Sequence, residues 1–292
     1  MRLLFITILC GVALSGKSQD FGWWAQSVNW DGISHWSRYM ITQPGYMGPN
    51  AMPVPRTGNG SLDSISSIAV TGNLHFSKGD NTQNITLYAN YALVKNVISF
   101  DAMWVPYEHF TMSHQIKTIR HVFSQFYYDH HAIGDIILNT NFQLLNKWRK
   151  HIQLALRVGY RFPAGTGFGL ARTTDGPGYN FDLSFGKPFK NSSLKWIGML
   201  GFYSWQIVSD RHRQDDAFLF GNGLEWNSKT WRLQTYVAGY IGYIDNSGDK
   251  PVVLRATAEK KLKRSSLLVG FQQGVHDFKY SSVEIGLKFR FK

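Results

Sequence analysis

The last eleven residues of the chain, 282–292, alternate between apolar and polar side chains almost without a break. Successive side chains of an extended strand point to opposite faces, so this period of two predicts a strand with one apolar and one charged face. The apolar set is Val283, Ile285, Leu287, Phe289 and Phe291. The two faces need different surroundings, and this limits the folds open to the chain because the pattern recurs along most of its length.

Twelve segments have this strand-like character. Their predicted ranges are 66–77, 84–94, 96–106, 134–145, 151–163, 178–189, 194–207, 217–228, 230–243, 250–262, 265–276 and 281–291. In the fifth, the even-numbered residues from Ile152 to Phe162 are apolar, and the polar residues between them include Arg157 and Arg161. Each segment is about as long as a tilted strand that crosses a bilayer.

The predicted connections alternate in length. Short ones centre on 94–95, 146–150, 190–193, 227–229 and 261–264, whereas longer ones cover 78–83, 107–133, 164–177, 208–216 and 244–249, with a brief sixth at 277–280. Transmembrane barrels have short periplasmic turns and longer outer loops. We therefore predict an all-β fold, a transmembrane antiparallel up-and-down β-barrel of about twelve strands over residues 66–292.

The N-terminus has the features of a secretory signal peptide. A basic start at Arg2 precedes a mostly apolar run over 3–14 and then small residues, which predicts a cleaved leader over 1–19. No later apolar stretch is long enough for a transmembrane helix. The only cysteine, Cys10, lies in the leader, so disulfides and thiolate metal sites are excluded from the exported chain. The predicted localisation is the outer membrane.

A soluble barrel would show the same alternation with its apolar face inward. The leader, the aromatic C-terminal strand and the unequal connections favour the membrane. The formal charge of +12 is compatible with nucleic-acid binding, but an exported protein meets lipid phosphate instead. We therefore predict outer-membrane lipids and a small-molecule solute as partners, with no nucleic acid and no cofactor. The oligomeric state stays open.

Residues 20–65 do not resemble strands. They contain four tryptophans (Trp23, Trp24, Trp30 and Trp36) and four prolines (Pro44, Pro49, Pro53 and Pro55). Flexible linkers are usually poor in aromatic residues. We predict an ordered, irregular N-terminal segment that either plugs the lumen or covers the periplasmic mouth.

The alternation also predicts which side chains line the lumen. The predicted lining is Asp101, Arg157, Arg161, Asp182, Glu225, Arg232, Tyr236, Tyr240, Arg255, Glu259, Glu284, Lys288 and Arg290. Charges in a closed interior are costly unless they are paired or hydrated. Two interpretations follow, a salt-bridged structural lumen or a charged channel lining that selects solutes.

The long connections supply a second set of candidate residues. It comprises Glu108, His109, Asp129, His130, His131, Arg172 and Asp175. Histidine and carboxylate groups can bind divalent metals, but the spacing matches no metal signature, so no metal is predicted. Arg172 and Asp175 are candidates to latch the loop across the barrel mouth. The segment 112–127 has the spacing of a short helix.

Enzymatic chemistry is the weakest of the three functional interpretations. Some barrels use a serine and a histidine at the lipid-facing rim. Candidates here are the bases His75, His109 and His130, the nucleophiles Ser113 and Ser124, and the orienting Asp129. Because these residues form no known catalytic signature, we predict no catalytic residue.

Two short runs carry a family resemblance. The runs 46–55 and 171–179 are similar to an uncharacterised outer-membrane β-barrel family of Bacteroidota-like Gram-negative bacteria. A looser match, from Gly134 through Tyr160 to Gly167, resembles a transporter-type barrel family linked to aromatic-compound degradation. The resemblance implies a membrane barrel that transports small molecules.

The leading expectation is therefore a channel or carrier for small polar or aromatic solutes. The first alternative is a closed structural or partner-binding barrel, and the second is a lipid-modifying barrel enzyme.

Overall fold

The computed structural model of the protein describes residues 22–123, 129–148, 152–207, 213–244 and 247–291. The strands are β1 (Ser66–Ser77), β2 (Asp80–Val94), β3 (Ile98–Met112), β4 (Asp129–Ala132), β5 (Ile136–Trp148), β6 (Ile152–Phe162), β7 (Gly178–Pro188), β8 (Leu194–Gln206), β9 (Gln214–Asn227), β10 (Trp231–Gly242), β11 (Val252–Lys261), β12 (Ser265–His276) and β13 (Ser281–Phe291). The helices are α1 (Gly22–Val28) and α2 (His114–Ile119), with 3-10 turns at Trp36–Tyr39, Pro44–Tyr46 and Phe168–Leu170.

The strands close into a ring. Each strand pairs antiparallel with its neighbours along the chain, except that the short β4 forms an extra pair with the end of β3 and the ring continues from β3 to β5. The first and last strands pair from Ser66 opposite Phe291 to Phe76 opposite Ser281. The structure confirms the predicted antiparallel barrel of twelve strands, to which β4 is an addition that the sequence did not indicate.

The faces of the ring are inverted relative to a soluble protein. Large apolar side chains are exposed on the outside, among them Leu287 (42%) and Phe289 (51%). The side chains of Arg157 and Lys288 point inward and are only 17% and 16% exposed. Water would disfavour such an apolar exterior, whereas lipid chains suit it. None of the helices among the described residues is long and apolar enough to cross a membrane.

The connections define two ends. The short-turn end carries the turns after β2, β5, β7, β9 and β11, and the long-loop end carries the loops after β3, β6, β8 and β10. The predicted connection 78–83 is wrong, because β1 and β2 are joined by the tight turn Lys78–Gly79. Gly79 adopts a φ of +80°, and a Cβ there would lie 2.5 Å from Ser113 Oγ.

The strand β3 also runs further than expected, to Met112. Glu108, Phe110 and Met112 are all buried in the interior, so the alternation continues beyond the predicted end at residue 106. Glu108 and His109 therefore belong to a strand and not to the loop in which they were predicted. The predicted helix after them is shorter, α2, and begins with Ser113 Oγ accepting a hydrogen bond from Ile116 N–H.

If the exposed apolar face contacts lipid chains, the cost of a charge there must depend on depth. We predict that Leu287→Lys, near the middle of β13, lowers the free energy of unfolding by about 2–4 kcal/mol, whereas Phe76→Lys, beside the β1–β2 turn, costs about 1 kcal/mol or less. Urea unfolding in lipid vesicles measures both. Equal losses of unfolding free energy for the two substitutions would contradict the contact of this outer face with lipid chains.

Candidate functional site in the barrel interior

The N-terminal part of the chain runs through the barrel. Near the long-loop end, Gly45 N–H donates to Gly248 O at 2.7 Å and Gly48 N–H donates to Ala171 O at 2.7 Å. At the other end, the carboxylate of Asp63 lies 3.1 Å from Lys288 Nζ, and β1 then begins at Ser66. Residues 43–63, here called the threaded segment, thus cross the lumen from one end to the other.

Apolar packing holds the threaded segment against one wall. Its Met47, Ala51, Met52 and Val54 are at most 2% exposed. They belong to one core cluster with wall residues of β8–β11, namely Ile197, Met199, Tyr203, Trp205, Ala217, Leu219, Tyr236, Ala238, Tyr240 and Val253. Tyr240 also donates its hydroxyl hydrogen to Met52 O at 3.2 Å. This interior core holds the segment against the wall of β8–β11.

Polar contacts hold residues 59–62, the part of the threaded segment nearer the short-turn end. Asn59 Nδ2 donates to Glu225 Oε2 at 2.8 Å, and the same oxygen accepts from Arg232 Nε at 2.9 Å. Gln143 bonds the segment twice, accepting from Leu62 N–H at 3.0 Å and donating to Gly60 O at 2.7 Å. Satisfied backbone groups of this kind make a buried irregular segment tolerable.

Wall glycines make the close approach of the segment possible. A Cβ at Gly186 would lie 2.1 Å from Asn59 O, and a Cβ at Gly221 would lie 2.2 Å from Thr57 Oγ1. These glycines are on β7 and β9, so the segment lies directly on that side of the barrel.

Adjoining cavities lie beside the threaded segment, and three of them are lined by the described residues. The upper cavity, nearer the long-loop end, has a volume of about 210 Å³, and the lower cavity, nearer the short-turn end, has a volume of about 360 Å³. The walls of both include Arg56, Tyr88, Asp101, Arg157, Thr257 and Glu284. An end cavity of about 220 Å³ shares Asp63, Arg232, Glu259 and Lys288 with the lower one. The cavities therefore form a series from mid-lumen to the short-turn end, and no residue of β7, β8 or β9 lines the lower cavity.

The structure places all thirteen predicted lumen residues on the inner face. Ion pairs on this face include Arg157–Asp182 (2.7 Å), Arg232–Glu225 (2.9 Å), Lys288–Asp63 (3.1 Å), Arg161–Asp135 (2.7 Å), Arg56–Glu284 (2.6 Å), Lys195–Glu225 (3.7 Å) and Arg290–Glu259. Arg255 instead donates to Val54 O of the threaded segment at 2.7 Å, and Asp101 accepts from Asn139 and Asn141 at 2.5 and 2.6 Å. Tyr236 and Tyr240 pack in the interior core described above.

A second charged cluster closes the long-loop end. Asp80 Oδ2 accepts from Arg120 Nη1 at 2.5 Å, Arg172 Nη2 at 2.8 Å and the Tyr280 hydroxyl at 2.6 Å. Arg172 also reaches Glu108 Oε1 at 3.1 Å, and its guanidinium stacks 3.6 Å from the ring centre of Phe110. Arg172 thus ties the β6–β7 loop to β2 and β3, while the other predicted latch, Asp175, is exposed.

Burial and charge act on this cluster together. Burial raises the pKa of the Tyr280 hydroxyl well above its usual range, so that it stays a neutral donor to Asp80. Burial alone would lower the pKa of Arg172, but attraction to Asp80 and Glu108 outweighs it and raises that pKa. Arg172 is therefore a paired cation at physiological pH, and Tyr280 is a neutral donor.

The loop histidines do not converge. His130 is buried against Phe110, while His131 points outward beside His109, with ring centres 5.0 Å apart, and accepts or donates a hydrogen bond at Tyr107 Oη. The side chain of Asp129, like Ser124, lies outside the described residues. Within the described part of the chain, no three His, Cys, Asp or Glu residues are grouped to hold a metal ion.

His75 does contact a serine, but inside the barrel. His75 Nδ1 lies 2.7 Å from Ser282 Oγ, and Nε2 lies 2.7 Å from Asn84 Oδ1. Asn84 Oδ1 also accepts from Asn50 Nδ2 at 3.1 Å, so this chain of hydrogen bonds connects the wall to the threaded segment. Ser113, one of the candidate loop nucleophiles, caps α2.

Several site residues were not found from the sequence. Asp80 begins a polar stretch that resembles a loop, although the spacing of Asp80, Thr82 and Asn84 is that of one strand face. Arg56 and Asn59 lie in a Pro- and Gly-rich run with no periodicity, so nothing in the sequence indicated their partners on β13 and β9.

Solved structures with this architecture are outer-membrane β-barrels. An outer-membrane channel from Pseudomonas putida F1 is similar over 82% of this chain and 100% of its own, with 11% identity and a TM-score of 0.55. The translocator domain of an autotransporter from Neisseria meningitidis covers 79% of this chain and 89% of its own (11% identity, TM-score 0.46). An anion-selective porin from Comamonas acidovorans covers 78% and 98% (8% identity, TM-score 0.37).

The class of protein follows from these observations. The closed ring, the apolar exterior and an enclosed interior that holds the paired charges define a β-barrel of the outer-membrane type. The sequence matches no family model and no curated relative. At identities this low the structural likeness establishes the fold alone, and the function has to be argued from the interior.

Removing Arg172 would leave two buried carboxylates without their shared cation. We predict that Arg172→Ala lowers the free energy of unfolding by about 3–5 kcal/mol. Arg172→Lys recovers only part of this loss because one ammonium cannot reproduce the fork of donors. Asp175→Asn, in the same loop but exposed, should cost about 0.5 kcal/mol or less, because asparagine tolerates the positive φ of that residue. Thermal and urea unfolding in detergent provide the measurement, and equal losses of unfolding free energy for Arg172→Ala and Asp175→Asn would show that Arg172 does not fasten the loop.

Proposed function

We propose that the protein is an outer-membrane channel for small solutes, with its short-turn end in the periplasm and its long-loop end outside. The observation that carries the proposal is the series of adjoining cavities along one side of the threaded segment. A barrel that served only as a scaffold could fill its lumen with side chains. Here free volume continues from mid-lumen to the short-turn end, and charged groups line it.

The proposed solutes are small and polar or aromatic. Supporting features of the upper cavity are the guanidinium groups of Arg157 and Arg255 and the buried apolar ring of Phe278. Solute sites commonly combine apolar walls with a few polar groups. The resemblance to a transporter-type barrel family linked to aromatic-compound degradation is compatible with this proposal and stays a prediction, as does the Bacteroidota-like origin.

The long-loop end is closed, so conduction requires a movement. The Asp80–Arg172 cluster blocks the route beside the seated segment, and the segment itself blocks the rest of the lumen. Displacement of the segment would empty the wall of β7–β9 and join the cavities into a wide lumen. A lumen that never opens is the alternative function, a closed structural or partner-binding barrel, and the full burial of the Asp80 cluster favours it.

The substitution Gly186→Ala, which adds one methyl group, distinguishes the channel from the closed barrel. In Gly186→Ala, the new Cβ meets a backbone oxygen of the segment, which should destabilise the plugged state by about 1–3 kcal/mol. The plugged and open states exchange, so this cost should raise the open probability about fivefold or more in planar-bilayer recordings. Gly72→Ala is the matched control, because nothing lies within 4 Å of a Cβ there.

The outcomes are distinct. Current through the wild type that increases in Gly186→Ala but not in Gly72→Ala supports a plugged channel. Complete silence of the wild type and of Gly186→Ala, for protein shown to be inserted and folded, would reject the channel and favour the closed barrel.

A further inference from the structure

We infer that Arg56, a residue of the threaded segment and not of the barrel wall, sets the charge selectivity of the passage beside the segment. This inference rests on the proposed channel function. It concerns the junction where the upper and lower cavities meet, a part of the lumen that an ion must pass on this route.

The position of Arg56 is the first argument. Its side chain lines both cavities and is 47% exposed although it lies deep inside the barrel, so its exposed surface faces the cavities themselves. Its Nη2 lies 2.6 Å from Glu284 Oε2 and 2.6 Å from Tyr88 Oη, and its guanidinium carbon lies 4.6 Å from the centre of the Tyr88 ring. The side chain therefore crosses the free side of the lumen from the segment to β2 and β13.

The charge balance at the junction is the second argument. The six residues shared by the two cavities include two cations, Arg56 and Arg157, and two carboxylates, Asp101 and Glu284. Arg157 is held by Asp182 at 2.7 Å and donates to Arg56 O at 3.0 Å, so its position depends on the segment as well. Loss of the Arg56 charge leaves the shared set with a net charge of −1, and the carboxylate of Glu284 then keeps the hydrogen bond from the Tyr88 hydroxyl at 3.2 Å but has no cation beside it.

Attachment to the segment is the third argument. A wall residue keeps its place when a plug moves, but Arg56 leaves the junction with the backbone that carries it. Selectivity and gating are thereby coupled. The junction beside a seated segment has two cations and two carboxylates, whereas a lumen without the segment presents to passing ions Asp101 and a Glu284 that has lost its cation.

The test uses full-length protein in planar bilayers with a KCl gradient, and the reversal potential reports the permeability of K⁺ relative to Cl⁻. We expect Arg56→Gln to raise the K⁺ to Cl⁻ permeability ratio about threefold or more, because one positive charge is lost at close range. Its single-channel conductance should rise as well, since the shorter side chain obstructs less of the junction. Arg56→Lys, which keeps the charge, should retain the wild-type ratio.

Two further variants make the result decisive. Glu284→Gln removes the opposite charge from the same pair with almost no change in size, so it should shift the ratio toward Cl⁻. Arg264→Gln removes the same type of charge from the exposed β11–β12 turn and should leave the ratio unchanged.

Failure of the selectivity inference can be told apart from failure of the proposed channel function. If the variants conduct but Arg56→Gln and Glu284→Gln match Arg264→Gln in reversal potential, Arg56 does not set selectivity, although the channel stands. If the wild type and every variant are silent, the proposed function fails and this inference fails with it.

Discussion

The structure depends on the closure of the sheet between its first and last strands. In a membrane, no water is available to the edge of an open sheet, so every backbone donor and acceptor must be paired within the protein. Pairing of β1 with β13 meets this requirement, and it converts the period of two in the sequence into an outside and an inside. All other features, including the fate of each charged side chain, follow from that division.

The enclosed side explains the ion pairs and the threaded segment together. Charges that face a narrow lumen lose most of their water, and they become tolerable when partners are close. Some partners come from neighbouring strands, such as Asp182 for Arg157. Others come from the segment, whose Arg56, Asn59 and Asp63 meet Glu284, Glu225 and Lys288. The segment is thus part of the electrostatic balance of the wall, so its movement would change both the width and the charge of the lumen.

Local periodicity accounts for what could be predicted from the sequence. β1, β12 and β13 coincide with the predicted ranges. The alternation is almost unbroken in β13, whereas it is weaker in β1 and in β12, where Leu268 falls on the polar face. β2 starts earlier than predicted because Asn81 and Gln83 on its outer face are polar, which hides the alternation near the membrane surface. The inward placement of residues such as Arg157 and Glu225 needed only this pattern. The pairing of Arg56 with Glu284 spans 228 positions in the sequence, and no local pattern indicates contacts of that range.

The most direct test of the central claim is site-directed spin labelling along β13. Cys10 is the only cysteine, so Leu287→Cys and Lys288→Cys in a Cys10→Ser background each carry one nitroxide. In lipid bilayers, the label at 287 should collide with oxygen dissolved in the lipid, and the label at 288 should collide with a water-soluble nickel chelate or with neither reagent. The opposite pattern, with 288 in lipid and 287 enclosed, would contradict the inside and outside assigned to every strand.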